Sequence, residues 1–206
     1  MSVGMVVLTA VAVLIFFGVL QRVLDRMYLT DRQALAVAAA MFVGTLIPNI
    51  DLGPVALNIG GAVIPLIICV LLFIRADTGL EKWRTVLGSF LTGAAIFGLS
   101  LILPSEPEQL VIEPMWLYAI CGGLLAWLLG RSRRGAFICG VLGVMLADTA
   151  TAIVNWSRGV EQQLVLGGAG VADAVVVSGV LAVLLCELVG EIVERMARGR
   201  RKEGAS

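Results

Sequence analysis

The sequence predicts an all-α fold, a polytopic bundle of about seven transmembrane helices. Hydrophobic residues make up 59% of the 206 residues and charged residues only 15%, whereas soluble domains are about 45–50% apolar and about 25% charged. Mean hydropathy is +0.99. The apolar residues form continuous runs and do not alternate as in the strands of a membrane barrel. Since lipid offers no partner to unpaired backbone groups, such runs are expected to be helices.

Seven apolar segments are predicted to cross the membrane, each near the ~20 residues that the hydrocarbon core requires. The first has no basic stretch before it, so we expect a retained helix and not a cleaved signal peptide. We predict a transmembrane domain over residues 1–194 and a basic cytoplasmic tail over 195–206. The segments are roughly 3–21, 33–50, 54–74, 85–103, 115–130, 135–155 and 169–192.

Basic residues predict the orientation of these helices. All of the 15 Lys and Arg residues except Arg158 lie on alternate connections and in the tail. Because cytoplasmic loops carry the excess of Lys and Arg, we expect the N-terminus outside and the C-terminus in the cytoplasm. The tail is interpreted as an anchor at an anionic leaflet, with a partner-binding tail as the alternative. The opposite connections carry acids: Asp51, Glu106, Glu108, Glu113 and Glu161.

Composition excludes several classes of function. The formal net charge is zero, which argues against a nucleic-acid partner. Histidine is absent, which removes zinc-protease motifs, Ser–His pairs and haem ligation by His. The two lysines, Lys82 and Lys202, lie in predicted cytoplasmic segments, so a Ser–Lys pair in the membrane is excluded. The four cysteines form no CxxC pair, and we expect no cofactor or metal.

The start of the third segment is the first candidate site. It reads Asn58-Ile59-Gly60-Gly61, with Pro65 soon after. Pro65 lacks an N–H and clashes with the carbonyl group of Gly61, so a kinked or broken helix is expected. Interrupted helices are frequent at transporter binding sites. The alternative is that the two glycines only permit close helix packing.

The sixth and seventh segments carry the second candidate site. Asp148, Thr151 and Asn155 share one face of the sixth helix. Asp173, followed by Ser178, lies near the start of the seventh helix at a similar predicted depth in the outer half of the bilayer. Two carboxyls that met there would share a proton, because both cannot ionise cheaply.

We therefore predict Asp148 and Asp173 as catalytic or ion-relay groups, with the outer-half residues Asp51 and Asn58 nearby. Intramembrane acids are functional candidates by default, because they are expensive to bury in lipid. The structural alternative makes the two acids hydrogen-bonded links between helices, or makes Asp173 a cap of the seventh helix.

Three elements resemble the domain of unknown function 1614 family of uncharacterised prokaryotic polytopic membrane proteins. The first runs from Asn58 to Leu66, the second is Ala147-Asp148, and the third is Gly167-Gly168-Ala169-Gly170-Val171-Ala172-Asp173. The resemblance implies a multi-pass protein of the cell inner (cytoplasmic) membrane and marks the positions of the site, but it implies no reaction. A weaker similarity is to presenilin-like and signal-peptide-peptidase-like proteases, which carry one catalytic Asp on each of two successive helices.

Three functions remain open from the sequence. The first is binding or transport of a small molecule or ion at an outer-half polar site. The second is intramembrane aspartyl hydrolysis, in which one carboxyl acts as base and the other as acid. The third is a membrane scaffold. The expected partners are the lipid bilayer and an unknown small molecule, ion or membrane protein, and the oligomeric state is left open.

Overall fold

The structure is a computed structural model that describes residues 18–19, 21–24, 27, 30–102 and 114–203. Side chains of residues 31, 114 and 193–203 are outside the description. Residues 18–19 and 21–24 are helical, and six longer helices follow within the described part of the chain. Helices α3 to α6 pack against one another and form the centre of the bundle. The helices are α1 (Asp31–Thr45), α2 (Ile64–Ile74), α3 (Gly79–Ile102), α4 (Pro114–Gly130), α5 (Arg133–Ser157) and α6 (Ala174–Glu203).

The predicted helical bundle is confirmed over the described residues. Three helices are long and apolar enough to cross a membrane: Gly79–Ile102, Arg133–Ser157 and Ala174–Ile192. Shorter apolar helices span Arg32–Thr45, Ile59–Ile74 and Met115–Gly130. Large apolar side chains such as Ile67, Phe90 and Leu128 are exposed, which suits a lipid environment. The first predicted segment, 3–21, falls almost wholly outside the described residues, as do Glu106, Glu108 and Glu113.

A small three-stranded sheet is the main departure from the predicted helices. Strands β1 (Ile50–Asp51) and β2 (Val55–Leu57) form an antiparallel hairpin, and β3 (Leu164–Leu166) pairs with β2 in parallel, Val55 opposite Leu164. Helix α1 therefore stops at Thr45, before the predicted end at residue 50. Pro48 and Pro54 disfavour a continuing helix ladder, and Gly53 adopts φ +78° in the hairpin turn.

The expected break in the third segment is present and lies at the two adjacent glycines. The Asn58 carbonyl group accepts hydrogen bonds from the N–H groups of Ala62 (2.9 Å) and Val63 (3.1 Å). The result is a π-helical turn over Ile59–Val63, and regular helix α2 begins only at Ile64. Pro65 is then the second residue of α2 and, because it lacks an N–H, cannot donate to a carbonyl group of the π-turn before it. The segment is thus a strand, a π-turn and a short helix.

Basic connections gather at the end of the bundle opposite the sheet. The Arg134 guanidinium donates to the Arg75 carbonyl group (2.6 Å) and contacts Asp77 (3.3 Å). Ser132 donates to Glu81 (2.7 Å), and Arg133 pairs with Glu187 of α6. The α2–α3 turn, the α4–α5 turn and the lower part of α6 therefore lie on the same side, in agreement with the alternation of charge along the sequence.

Candidate functional site

Asn58 is a structural residue at the start of the broken segment. It is only 3% exposed. Its side-chain oxygen accepts the N–H of Gly61 (2.9 Å), and its amide nitrogen donates to the side-chain oxygen of Asn49 (3.0 Å). The backbone N–H of Asn58 donates to the carbonyl group of Leu166 (3.0 Å). Asn58 therefore caps the π-turn and ties it to both the α1–β1 loop and β3.

Gly60 and Gly61 lie where two glycine-rich segments touch. An added Cβ at Gly61 would meet the carbonyl oxygens of Gly167 and Gly170, the latter at 2.6 Å. A Cβ at Gly60 would lie 2.5 Å from the Thr45 hydroxyl. That hydroxyl donates to Met41 (2.9 Å) and accepts from the Val171 N–H (3.1 Å). These residues form a glycine junction between α1, the π-turn and the segment before α6, and close packing explains the glycines.

Asp173 caps helix α6. One carboxyl oxygen accepts the N–H of Val175 (3.0 Å), and the other accepts the N–H of Ala169 (3.0 Å). This geometry is that of an N-cap, which was the structural alternative for this residue. No hydrogen bond joins the Asp173 carboxyl to that of Asp148 within the described part of the chain.

Asp148 lines a cavity of about 280 Å³ between α3, α4, α5 and β3. Its carboxyl has no hydrogen-bond donor among the residues that the structure describes, unlike that of Asp173. Thr151, one turn further along α5, lines the same cavity, as do Ser100 of α3 and Tyr118 of α4. Asp148 lies nine residues before the end of α5 at Ser157, about 14 Å at 1.5 Å per residue. We call this space the Asp148 cavity.

The loop between α5 and β3 covers one side of the Asp148 cavity. Gln162 and Gln163 line both this cavity and an adjoining surface depression that includes Trp156 and Glu161. Gln163 donates its amide N–H groups to Asp51 (3.3 Å) and to the Gly53 carbonyl group (3.2 Å). The cavity therefore lies at the sheet end of the bundle, beside a depression that opens to the surface.

The remaining predicted site residues have separate positions. Asp51 is exposed in β1 and accepts a hydrogen bond from Gln163, which lines the Asp148 cavity. Asn155 lies near the end of α5, where its carbonyl group accepts from Arg158 and Val160 (both 3.0 Å). Ser178 is completely buried in α6, close to Gly122, and its hydroxyl has no partner in the described structure. The structure thus brings together Asp148 and Thr151, and places Asn58, Gly60 and Gly61 in the glycine junction.

Sequence reasoning missed Ser100, Tyr118 and the two glutamines of the Asp148 cavity. Ser100 and Tyr118 are isolated polar residues within apolar segments, so the rule that intramembrane polar groups mark sites could have found them. Gln162 and Gln163 lie in a connection, where polar residues are ordinary. Their place at the cavity follows from the parallel pairing of β2 with β3, for which the sequence gives no local signal.

The comparisons with known proteins give a family for this chain. The family model that matches the chain is described as "Protein of unknown function (DUF1614)", and the match covers residues 20–185. No curated protein and no solved structure matches the chain, and the similarity to presenilin-like proteases has no support. A match over most of the chain shows membership, and the predicted family is confirmed: this chain belongs to the DUF1614 family.

Proposed function

We propose that this protein is a multi-pass protein of the prokaryotic cytoplasmic membrane that binds or transports a small molecule or ion at the Asp148 cavity. The observation that carries the proposal is the half-buried Asp148 carboxyl, which lines an open space between apolar helices and has no donor among the described residues. Carboxyls that are shielded from water normally have partners, because an unpaired one is costly. A ligand that completes its hydrogen bonding would account for this arrangement.

The orientation of the chain is part of the proposal. The basic turns at Arg75 and Arg131–Arg134 support a cytoplasmic position for one end of the bundle. The sheet and the Asp148 cavity then lie towards the outside. A green fluorescent protein fused to the C-terminus should fluoresce, because it folds in the cytoplasm, and alkaline phosphatase at the same point should be inactive. Active phosphatase would contradict the proposed orientation and would leave the proposed binding function untested by this experiment.

The surroundings of Asp173 argue against an aspartyl hydrolase. Such a mechanism needs two carboxyls at one water molecule, one as base and one as acid. Both oxygens of Asp173 instead accept backbone N–H groups at the start of α6. A scaffold function is the alternative that an experiment must exclude, because the glycine junction and the packed helices would suit a scaffold equally well.

A thermal-shift screen of the purified protein in detergent tests the binding function. The panel contains amines, amino acids, sugars, carboxylic acids and alkali-metal salts. A ligand at ten times its Kd adds about 1.4 kcal/mol of stability, which raises the melting temperature by roughly 3–6 °C for a chain of this size. At least one compound should stabilise the wild type and not Asp148→Asn.

Asp77→Asn is the matched control, because it removes an exposed carboxylate at the opposite end of the bundle. It should respond to the compound as the wild type does. The proposal is refuted when no compound stabilises the wild type, or when every stabilising compound acts equally on Asp148→Asn. The scaffold would then be the better account.

A further inference from the structure

We infer that the Asp148 cavity selects a small organic cation of the alkylammonium class. This inference rests on the proposed binding function and adds the chemical class of the ligand. The basis is the set of hydrogen-bonding groups around the cavity: some already have partners, and the others remain available to a ligand. The size of the cavity, the charges at its entrance and its aromatic wall limit the ligand further.

Two hydroxyl groups of the cavity have already used their protons. The Ser100 hydroxyl donates to the carbonyl group of Phe97 (2.7 Å), and the Thr151 hydroxyl donates to that of Ala147 (2.9 Å). A hydroxyl carries one proton and two lone pairs. Within the cavity each of these oxygens is therefore left as an acceptor, beside the Asp148 carboxyl, whose two oxygens both accept when it is ionised.

The side-chain amide of Gln163 likewise offers the cavity an acceptor and no free donor. Its nitrogen donates to Asp51 and to the Gly53 carbonyl group, which leaves its oxygen as the available group. Tyr118 and Gln162 can both donate and accept, so they set no preference. A ligand that satisfies this lining must bring several donors, and an ammonium group carries three.

The acidic side chains beside the cavity carry negative charge, which matches a cationic ligand. Glu161 lines the adjoining depression, and Asp51 lies beside Gln163. Arg158, the one cation that the described chain has at this end, lines neither the Asp148 cavity nor the depression. A region lined by acids raises the local concentration of cations and lowers that of anions.

Size and ligand type argue for an organic cation. The volume of about 280 Å³ lies just below the roughly 300–1,000 Å³ of pockets that hold drug-sized molecules. Ile96 and Tyr118 supply apolar and aromatic wall, and an aromatic face attracts an ammonium group. Within the described residues no three His, Cys, Asp or Glu side chains are grouped to hold a metal ion.

Four organic probes of similar size and one inorganic cation separate the alternatives: n-butylammonium, tetramethylammonium, butan-1-ol, butyrate and sodium, each titrated against the purified protein at constant ionic strength. n-Butylammonium should bind best, because it supplies both charge and donors. Asp148→Asn should weaken its binding about ten- to a hundredfold, the effect of one hydrogen bond to a charged group. Asp77→Asn should leave its binding unchanged.

The other outcomes each contradict the inference. Stronger binding of butyrate or butan-1-ol that depends on Asp148 would overturn the cation class and leave the binding function standing. Stronger binding of sodium would identify an inorganic ion site instead. Failure of all five probes would overturn the alkylammonium inference, while the wider screen decides separately whether the cavity binds anything.

Discussion

Replacing Gly61 by alanine tests the glycine junction. The new Cβ would lie 2.6 Å from the carbonyl oxygen of Gly170 and closer still to that of Gly167, whereas C···O contacts ordinarily begin near 3.3 Å. Both obstacles are backbone atoms, so the two segments must separate by roughly 0.7 Å or more. Overpacking of this kind costs about 1–3 kcal/mol.

For a chain of this size that cost corresponds to a fall in the melting temperature of roughly 2–12 °C. Differential scanning fluorimetry of the purified protein in detergent measures it. Gly98→Ala is the matched control, because Gly98 lies within α3 and an added Cβ there meets nothing within 4 Å. That variant should melt at or slightly above the wild-type temperature, since alanine favours helix by about 1 kcal/mol. Equal melting of Gly61→Ala and Gly98→Ala would refute the close approach of the two segments.

Substitutions at four further positions, Asn58, Asp173, Thr92 and Thr85, test individual side chains by the same thermal measurement. Asn58→Ala should destabilise the protein by about 1–3 kcal/mol, because it removes a cap and leaves buried groups unpaired; an unchanged melting temperature would contradict the capping role. Asp173→Asn should be less destabilising than Asp173→Ala, because the Asn side-chain oxygen can still accept one of the two backbone N–H groups whereas Ala can accept neither; equal loss in both would contradict the capping role. Thr92→Val should be neutral or stabilising, because the buried Thr92 hydroxyl has no partner in the described structure. Thr85→Val should be less stable than Thr92→Val, because it loses the hydrogen bond from the Thr85 hydroxyl to the Glu81 carbonyl group (2.8 Å).

The sequence predicted those features that depend on composition and local pattern. Apolar runs predicted the helices, and Gly60-Gly61 with Pro65 predicted the break before α2. The sheet was missed because strands of two or three residues with a long-range partner leave no periodic signal. Val55 to Leu57 are apolar and continuous with the helix that follows, so they could not be told from its first turn.

Only part of the candidate site could be predicted, because local spacing shows which residues share a helix face but not which partners they meet on other segments. Asp148 and Thr151 were found because they share one face of a single helix, which spacing reveals. Asp173 was paired with Asp148 on the basis of similar depth, but depth does not show which partners a carboxyl has. Its backbone partners at Ala169 and Val175 depend on the turn before α6, which the sequence left open as the capping alternative.

The central claim, a cation-selective cavity lined by Asp148, is tested most directly by thiol modification at Thr151. Thr151→Cys is placed in a chain whose four native cysteines are replaced by alanine, and the purified protein is treated separately with a cationic and an anionic methanethiosulfonate reagent of similar size. We divide the ratio of cationic to anionic rates by the same ratio for a small free thiol in solution, because any thiolate reacts faster with the cationic reagent. We expect this normalised ratio to be about ten or more, given one carboxylate a turn away, and we expect Asp148→Asn to reduce it to about one. A normalised ratio near one in the Thr151→Cys protein, or one that stays high in Asp148→Asn, would contradict the account.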